Sequence, residues 1–243
     1  MTEPSVPKKK KDLPLGKKAY HRIPHLPGSR TGSSDRMADP PLARRCIEQA
    51  RQGDTIVVQE KLDGSCVALA RIGDALVALG REGWRAAESD NPGRRMFAAW
   101  ANTLDPEVHA LLDDGDRLVG EWLALAHSTR YVLTHAPFVA FDWFHAGRWA
   151  TSEQLTERFG RLLTVPHVVH RGGAIGIADA VARLGEQGRH GATDAVEGLV
   201  WRVERDGETA AWAKYVRPGK RDGALLPENT GEPAVWNWRL NPQ

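Results

Sequence analysis

"VVQEKLDGSCVALA", positions 57 to 70, decides how the chain folds. An apolar run ends in Glu60 and Lys61, Asp63 and Gly64 follow, and a second apolar run begins at once. Two buried strands, 55–59 and 65–72, joined by a tight charged link, are the expected local structure. Outward from there, Gly73-Asp74 reads as a turn and 75–80 as the return strand of a hairpin. Further strands are expected at 117–124, 137–144 and 165–170, and a hairpin across Arg205-Asp206-Gly207 joins 195–204 to 208–216. Helices are expected at 39–54, with Asp39 as N-cap and Pro40 in the first turn, and at 91–104 behind an Asn-Pro start. Two more are expected: 152–160, where Thr151 and Gln154 have capping-box spacing, and 176–188, ending at a glycine. Hairpins dominate, which predicts an α+β fold of mainly antiparallel sheets rather than a doubly wound parallel one.

The 243 residues suit one large domain or two small ones, and 26% charged with 41% hydrophobic residues is ordinary for a soluble globular protein. No apolar run approaches the roughly 20 residues of a membrane span. The N-terminal lysines precede no apolar segment, so a secretory signal is not expected and a cytoplasmic location is. Lys8 to Lys11 with Lys17 and Lys18 form a basic stretch, read as a disordered arm over 1–18 that is either simply solvated or a non-specific phosphate binder. Residues 19–243 are then the folded domain. His25 and Arg30 stand in a Gly/Ser-rich segment, 19–36, that is either an anion grip or an ordinary loop. Cys46 and Cys66 lack CxxC spacing, and the nine histidines include no HExxH-like pair, so no zinc site is expected.

Strands normally hide apolar side chains, yet six charges stand in or beside apolar strand frames. They are Lys61 and Asp63 after "IVVQE", Arg81 after "LVALG", Glu121 in "LVGEWL", Glu197 in "AVEGLVW" and Lys214 in "AWAKYV". Each alone reads as a solvent-facing residue of a two-sided strand. Together they describe a cleft, because burying an unpaired ion costs on the order of several kcal/mol. A lysine nucleophile must be neutral, and a second cation and a divalent metal would lower its pKa from about 10.4. Carboxylate oxygens suit Mg²⁺ or Mn²⁺, and a lysine-rich, metal-bound cleft suits a polyphosphate. The set points to phosphoryl or nucleotidyl transfer with lysine attacking phosphorus.

The order of these residues resembles that of the covalent nucleotidyltransferases, namely DNA ligases, RNA ligases and mRNA capping enzymes. Lys61-Leu62-Asp63-Gly64 resembles motif I, KxDG, and Arg81 in "LGREGW" resembles motif Ia. Glu121 in "VGEWL", Phe141-Asp142 in "FVAFDWF", Glu197-Gly198 in "VEGLVWR" and Lys214 in "AWAKYVRP" resemble motifs III, IIIa, IV and V. With "PHLPGSR" and "VEGLVWRVE" added, the chain is most similar to the ATP-dependent RNA ligase family.

That resemblance implies a nucleotidyltransferase (ATP-grasp-like) domain and a ligase that joins a 5′-phosphate to a 3′-hydroxyl RNA end through lysyl-AMP. It implies ATP and Mg²⁺ or Mn²⁺ as cofactors and RNA ends as partners. Lys61 would be the nucleophile. Arg81 would contact the nucleotide or the strand, Glu121 the ribose and Phe141 the adenine face. Glu197 with Glu121 would hold metal, and Lys214 would neutralise the α-phosphate. Asp63 and Gly64 would shape the loop, and Glu60 would help read the base. Motif V departs from its usual KxK, with Trp212 at the first position, so Lys214 stands alone unless Arg217 or Lys220 substitutes. About 28 residues follow Tyr215, too few for the OB domain of DNA ligases and capping enzymes. The strand would then be held by Arg30, Arg217 and Lys220. The alternatives are a small DNA ligase and a catalytically inactive module that binds nucleotide or RNA ends. Trp122, Trp143 and Trp201 are expected in the core or the cleft wall, and Trp236 and Trp238 packed on the body.

Overall fold

The computed structural model describes residues 12–104 and 106–240. Lys8 to Lys11 of the basic arm lie outside the described residues. Residues 12–18, which composition assigned to that arm, run in turns against the body. Lys17 lies 5.5 Å over the Phe144 ring, and Lys18 pairs with Glu82. The packed chain therefore begins by residue 12 rather than at 19.

In chain order the elements are α1 (Pro40–Ile47), β1 (Thr55–Lys61), β2 (Ser65–Ile72), β3 (Ala75–Gly80), α2 (Pro92–Ala101), α3 (Pro106–Ala110), β4 (Arg117–Trp122) and β5 (Phe138–His145). They continue with β6 (Arg148–Trp149), α4 (Ser152–Phe159), β7 (Val168–Gly172), α5 (Ile177–Leu184), β8 (Gly198–Arg205), β9 (Glu208–Val216) and α6 (Pro227–Thr230). One sheet has the order β7-β1-β8-β9 and the other β3-β2-β4-β5-β6. Every ladder in both is antiparallel, as the alternating patterns required.

The strands that flank the opening motif belong to different sheets, so Lys61 to Gly64 is a crossing between sheets and not a hairpin. Gly64 makes the crossing possible, since a Cβ there would lie 2.4 Å from the Trp122 carbonyl oxygen. The first sheet packs its outer face, with Ile56, Val58 and Trp201, on α1 and α5 residues. The second packs Leu69, Leu118 and Trp122 on Phe97 and Trp100 of α2 and Leu155 and Phe159 of α4. Trp122 and Trp201 are fully buried, Trp143 is 9% exposed, and Trp238 sits 5.8 Å from Trp122, so these tryptophans pack as expected. Trp236 bridges to Leu125 through the backbone.

Local caps follow the sequence. Asp39 accepts from Leu42 N–H, Asn91 from Arg94 N–H, and the Thr151–Gln154 capping box forms in both directions. Helix α1 stops at Ile47, well short of residue 54, because Arg45 reaches forward to grip Asp54 at 2.8 and 2.9 Å and folds the intervening chain into a turn. Among the described residues no helix is long and apolar enough to cross a membrane.

Candidate active site

Antiparallel register decides which side chains of the first sheet share a face. Gln59 lies opposite Val200, which lies opposite Lys214, while Lys61 lies opposite Gly198. Directly opposed residues point to one side, so Gln59, Lys61, Val200 and Lys214 all face the second sheet. Gly198 leaves the space beside Lys61 free, and it has to be glycine: a Cβ there would come within 1.9 Å of the Tyr215 carbonyl oxygen. The second sheet answers with Glu121 on β4, opposite Cys66 on β2, and with Arg81 just past β3. In β5, Ala140 pairs with Gly120 and Asp142 with Val119, so Phe141 is an extra, bulged residue. A bulge breaks strict alternation, and Phe141 and Asp142 both line the cleft between the sheets.

Glu197 stands immediately before β8 and accepts a hydrogen bond from Lys61 Nζ at 2.6 Å. Glu121 Oε1 accepts from Gly64 N–H at 3.0 Å. Burial pushes the Glu121 carboxyl up to about 8, Lys61 notwithstanding, with Glu197 and Asp63 adding to the rise. Burial raises Glu197 as well, against the pull of Lys61. Burial alone would lower the Lys61 ammonium, but Glu197, Glu121 and Asp63 outweigh it and hold the amine above its ordinary value. Protein groups by themselves keep Lys61 charged, and the lowering expected of it calls for the divalent cation. The Lys214 ammonium, pushed down by burial and then by Lys61, makes no side-chain hydrogen bond or ion pair among the described residues.

Asp63 shapes the loop: its N–H donates to Tyr131 Oη at 3.0 Å, and its Oδ2 accepts from Ser128 N–H at 2.9 Å. Lys220 approaches the same oxygen at 3.6 Å while donating to Ser128 O and Thr129 Oγ1. Lys220 is thus a clamp on the motif I loop, only 10% exposed, and not a cation open to a strand. Arg217 donates to the Gly185 carbonyl at the end of α5, and Arg30 pairs with Asp222 at 2.5 Å. Each of the three cations expected to hold a strand has a partner within the fold. Glu60, one residue from Lys61, carries its carboxylate to the opposite face, where it accepts from Arg189 N–H at 2.8 Å and meets Gly188. Strand alternation is the reason, and Gln59 is the neighbour that faces the cleft.

Three cavities meet at Lys61 and Glu121. One has apolar walls from Ile23, Phe141, Pro166 and Val200, with Tyr20, His21 and Gln59 as uncharged polar groups. A second carries Asp35, Asp63, Glu197 and Lys214. The third carries Arg81, Arg94 and His127. The first is closed by the segment around Tyr20 to Ile23, which spans the sheets: Tyr20 N–H donates to Arg81 O at 3.1 Å and Lys214 N–H to Pro24 O at 2.9 Å. Sequence reading missed Gln59, Tyr20, His127 and Arg94. Of these, Gln59 alone carried a signal, two residues before Lys61 in the same strand.

The donor chemistry fits a divalent cation: Glu121 and Glu197 offer hard oxygens, both held above their ordinary pKa chiefly by burial. Among the described residues the sole group of three preclustered metal-type ligands is elsewhere, at Asp113, Asp116 and His145. Two carboxylates rather than a full cage match Mg²⁺-type sites, where water and phosphate complete the shell.

The family model for RNA ligase matches residues 54–216. The chain belongs to the RNA ligase family. Among solved structures, an archaeal ATP-dependent RNA ligase is 19% identical, with a TM-score of 0.53, covering 82% of this chain and 48% of that one. A Naegleria gruberi RNA ligase mutant with ATP and Mn is 16% identical, with a TM-score of 0.52, covering 80% of this chain and 58% of that one. A second Naegleria gruberi mutant, with AMP and Mn, is 14% identical at a TM-score of 0.52, over 86% and 62%. These likenesses show the shared fold of two antiparallel sheets with flanking helices, and this chain spans about half to six tenths of those RNA ligases. No curated protein matches the chain by sequence.

Proposed function

We propose that this RNA ligase works on ATP and RNA ends in the cytoplasm, through a lysyl-AMP intermediate. The observation that carries the reading is Lys61 Nζ, 2.6 Å from Glu197, at the junction of an apolar pocket and two charged ones. The apolar pocket suits a purine, with Phe141 against its face and Gln59 at its edge; stacking of a base on an aromatic is worth about 1–3 kcal/mol. Glu121 is placed for the ribose and, with Glu197, for a divalent cation. When bound, that cation supplies the positive charge that lets Lys61 lose its proton and that screens the phosphates. Lys214 and Arg81 face the phosphates. The solved relatives with ATP or AMP and Mn support this choice of ligands.

In the first step the neutral Lys61 amine attacks the α-phosphorus of ATP. A P–N bond forms, the α–β bridging P–O bond breaks, pyrophosphate leaves, and one of the two amine protons goes to solvent while the other stays on the nitrogen. Next, a 5′-phosphate oxygen attacks the same phosphorus. A P–O–P anhydride forms, the P–N bond breaks, and Lys61 regains a proton. Finally a 3′-hydroxyl attacks the 5′-phosphorus, releasing AMP and a proton and leaving a phosphodiester. Sheet on both sides of the motif I link holds the amine in line, the positioning that such displacements need.

The test is a joining assay with ATP and Mn²⁺. One 5′-phosphorylated strand is offered acceptors ending in ribose or deoxyribose. The expected result is a joined product with the ribose acceptor preferred. No product with either acceptor, or a preference for the deoxy end, would overturn the reading.

A further inference from the structure

A strand of RNA needs a grip, and Arg30, Arg217 and Lys220 are engaged inside the fold. The third cavity at Lys61 has the free cation that those lack. Arg94, in the first turn of α2, is half-buried and makes no side-chain hydrogen bond or ion pair among the described residues; its Nε is fully buried without a partner. An unpaired buried donor is costly, and a guanidinium left so beside a cavity is matched to an anion. His127 shares the wall. Its Nε2 and the Ser65 hydroxyl lie 3.2 Å apart.

The rim is equally defined. Trp84 is 38% exposed, a large aromatic left open to solvent. It stands on a rigid turn: Gly83 N–H donates to Gly80 O at 2.8 Å, and Gly80 N–H to Trp84 O at 2.9 Å. Gly83, at φ +91°, packs so closely on the N-terminal segment that a Cβ would lie 2.4 Å from the Lys17 carbonyl oxygen. Lys61, Arg81, Arg85 and Arg94 line the groove against Glu82, Glu88 and Glu121, and cations beside a fixed aromatic platform are how proteins hold single-stranded nucleic acid. The neighbouring cavity sets Asp35, Asp63, Glu121, Glu197 and Asp222 against Arg30, Lys61 and Lys214, and is the more acidic of the two.

We propose that this groove takes the 5′-phosphorylated end of a single RNA strand, with the terminal phosphate on Arg94 and His127 beside Lys61 and a base on Trp84. The identity of the strand as RNA rests on the ligase reading; the groove's taste for a phosphorylated end does not.

The test uses the full chain without ATP and follows fluorescence anisotropy of a short 3′-labelled oligoribonucleotide ending in 5′-phosphate or 5′-hydroxyl. Wild type is expected to favour the phosphate by about tenfold. Arg94→Ala erases that preference, and Arg94→Lys restores part of it. Trp84→Ala, at an exposed position that does not threaten folding, weakens both strands alike by about tenfold. No preference in wild type, an undiminished preference in Arg94→Ala, or unchanged binding by Trp84→Ala would overturn the proposal. Inorganic pyrophosphate is the competitor arm: displacement of the 5′-hydroxyl strand as readily as the phosphorylated one leaves no end-specific site. Labelling of the same preparation with ATP separates the two claims. A phosphate preference without label on Lys61 removes the ligase mechanism and leaves the groove standing.

Discussion

Arg202 and Lys61 are both cations that reach from the first sheet toward the second, and their surroundings differ in kind. Arg202 is 1% exposed and so is its partner Asp142, at 2.5 Å. Its guanidinium also donates to Phe141 O and Ala150 O and to Thr209 Oγ1, and it faces Glu204 at 3.5 Å. Tyr20 donates its hydroxyl to the other Asp142 oxygen. Lys61 has one close carboxylate, Glu197, while Glu121 is held chiefly by a backbone N–H and the Lys214 ammonium has no hydrogen-bond partner among the described residues. The first cluster is closed: both terminal guanidinium nitrogens of Arg202 meet acceptors from both sheets, and its Nε, without a hydrogen bond, faces the Glu204 carboxylate. The second keeps charges half-compensated around open space. Buried charge that is fully paired holds the sheets together; buried charge that is not awaits a ligand.

The sharpest way to break this contrast is to remove each cation in turn. Arg202→Met should cost about 3–5 kcal/mol in urea denaturation, because Asp142 and Glu204 are left buried and unpaired. Lys61→Met should cost no more than about 2 kcal/mol, since burial already shifts Glu197 and Glu121 toward protonation and, with the ammonium gone, they can take up protons. Equal losses would erase the distinction.

Gly64→Ala comes next. The new Cβ meets backbone that cannot yield, so about 1–3 kcal/mol should be lost, together with labelling by ATP. A neutral result would mean that the crossing is looser than its geometry.

The pH dependence is smaller. Glu121 has a folded pKa of about 8, above its unfolded value, so the fold favours its protonated form. That contribution is present below the unfolded value and is lost as pH rises through about 8. Glu121→Gln should therefore flatten the fall in stability between pH 5 and pH 8 and be more stable than wild type at pH 8 by about 1–2 kcal/mol. Urea midpoints at the two pH values check it. Lys214→Met should have the smallest structural effect, within about 0.5 kcal/mol, while slowing labelling by about a hundredfold.

The strands, hairpins and caps were legible because each rests on local pattern: alternation, an Asp or Asn before proline, a Thr-x-x-Gln box. The charges of the open cluster were legible because each interrupts an apolar frame. The closed cluster was not. Arg202 alternates with apolar residues as a solvent-facing residue would, and only the second sheet, bringing Asp142, shows that its face is covered. Glu60 and Lys61 are adjacent charges on opposite faces, and the sequence holds nothing to say which one sees the cleft. Nothing in the helical pattern of 91–104 singled out Arg94, and Trp84 entered only as a neighbour of Arg81 in "LGREGW". Their common groove exists only once the end of β3 and the start of α2 pack together. The raised pKa of Lys61 likewise depends on three carboxylates from three separate segments.

The most direct measurement is covalent labelling with α-labelled ATP and Mn²⁺, followed by denaturation and peptide mapping, with Lys61→Ala alongside. The account predicts label on wild type, mapped to Lys61, increasing as pH is raised toward the amine's range, and none on the variant. No label on wild type, or equal label on Lys61→Ala, would contradict it.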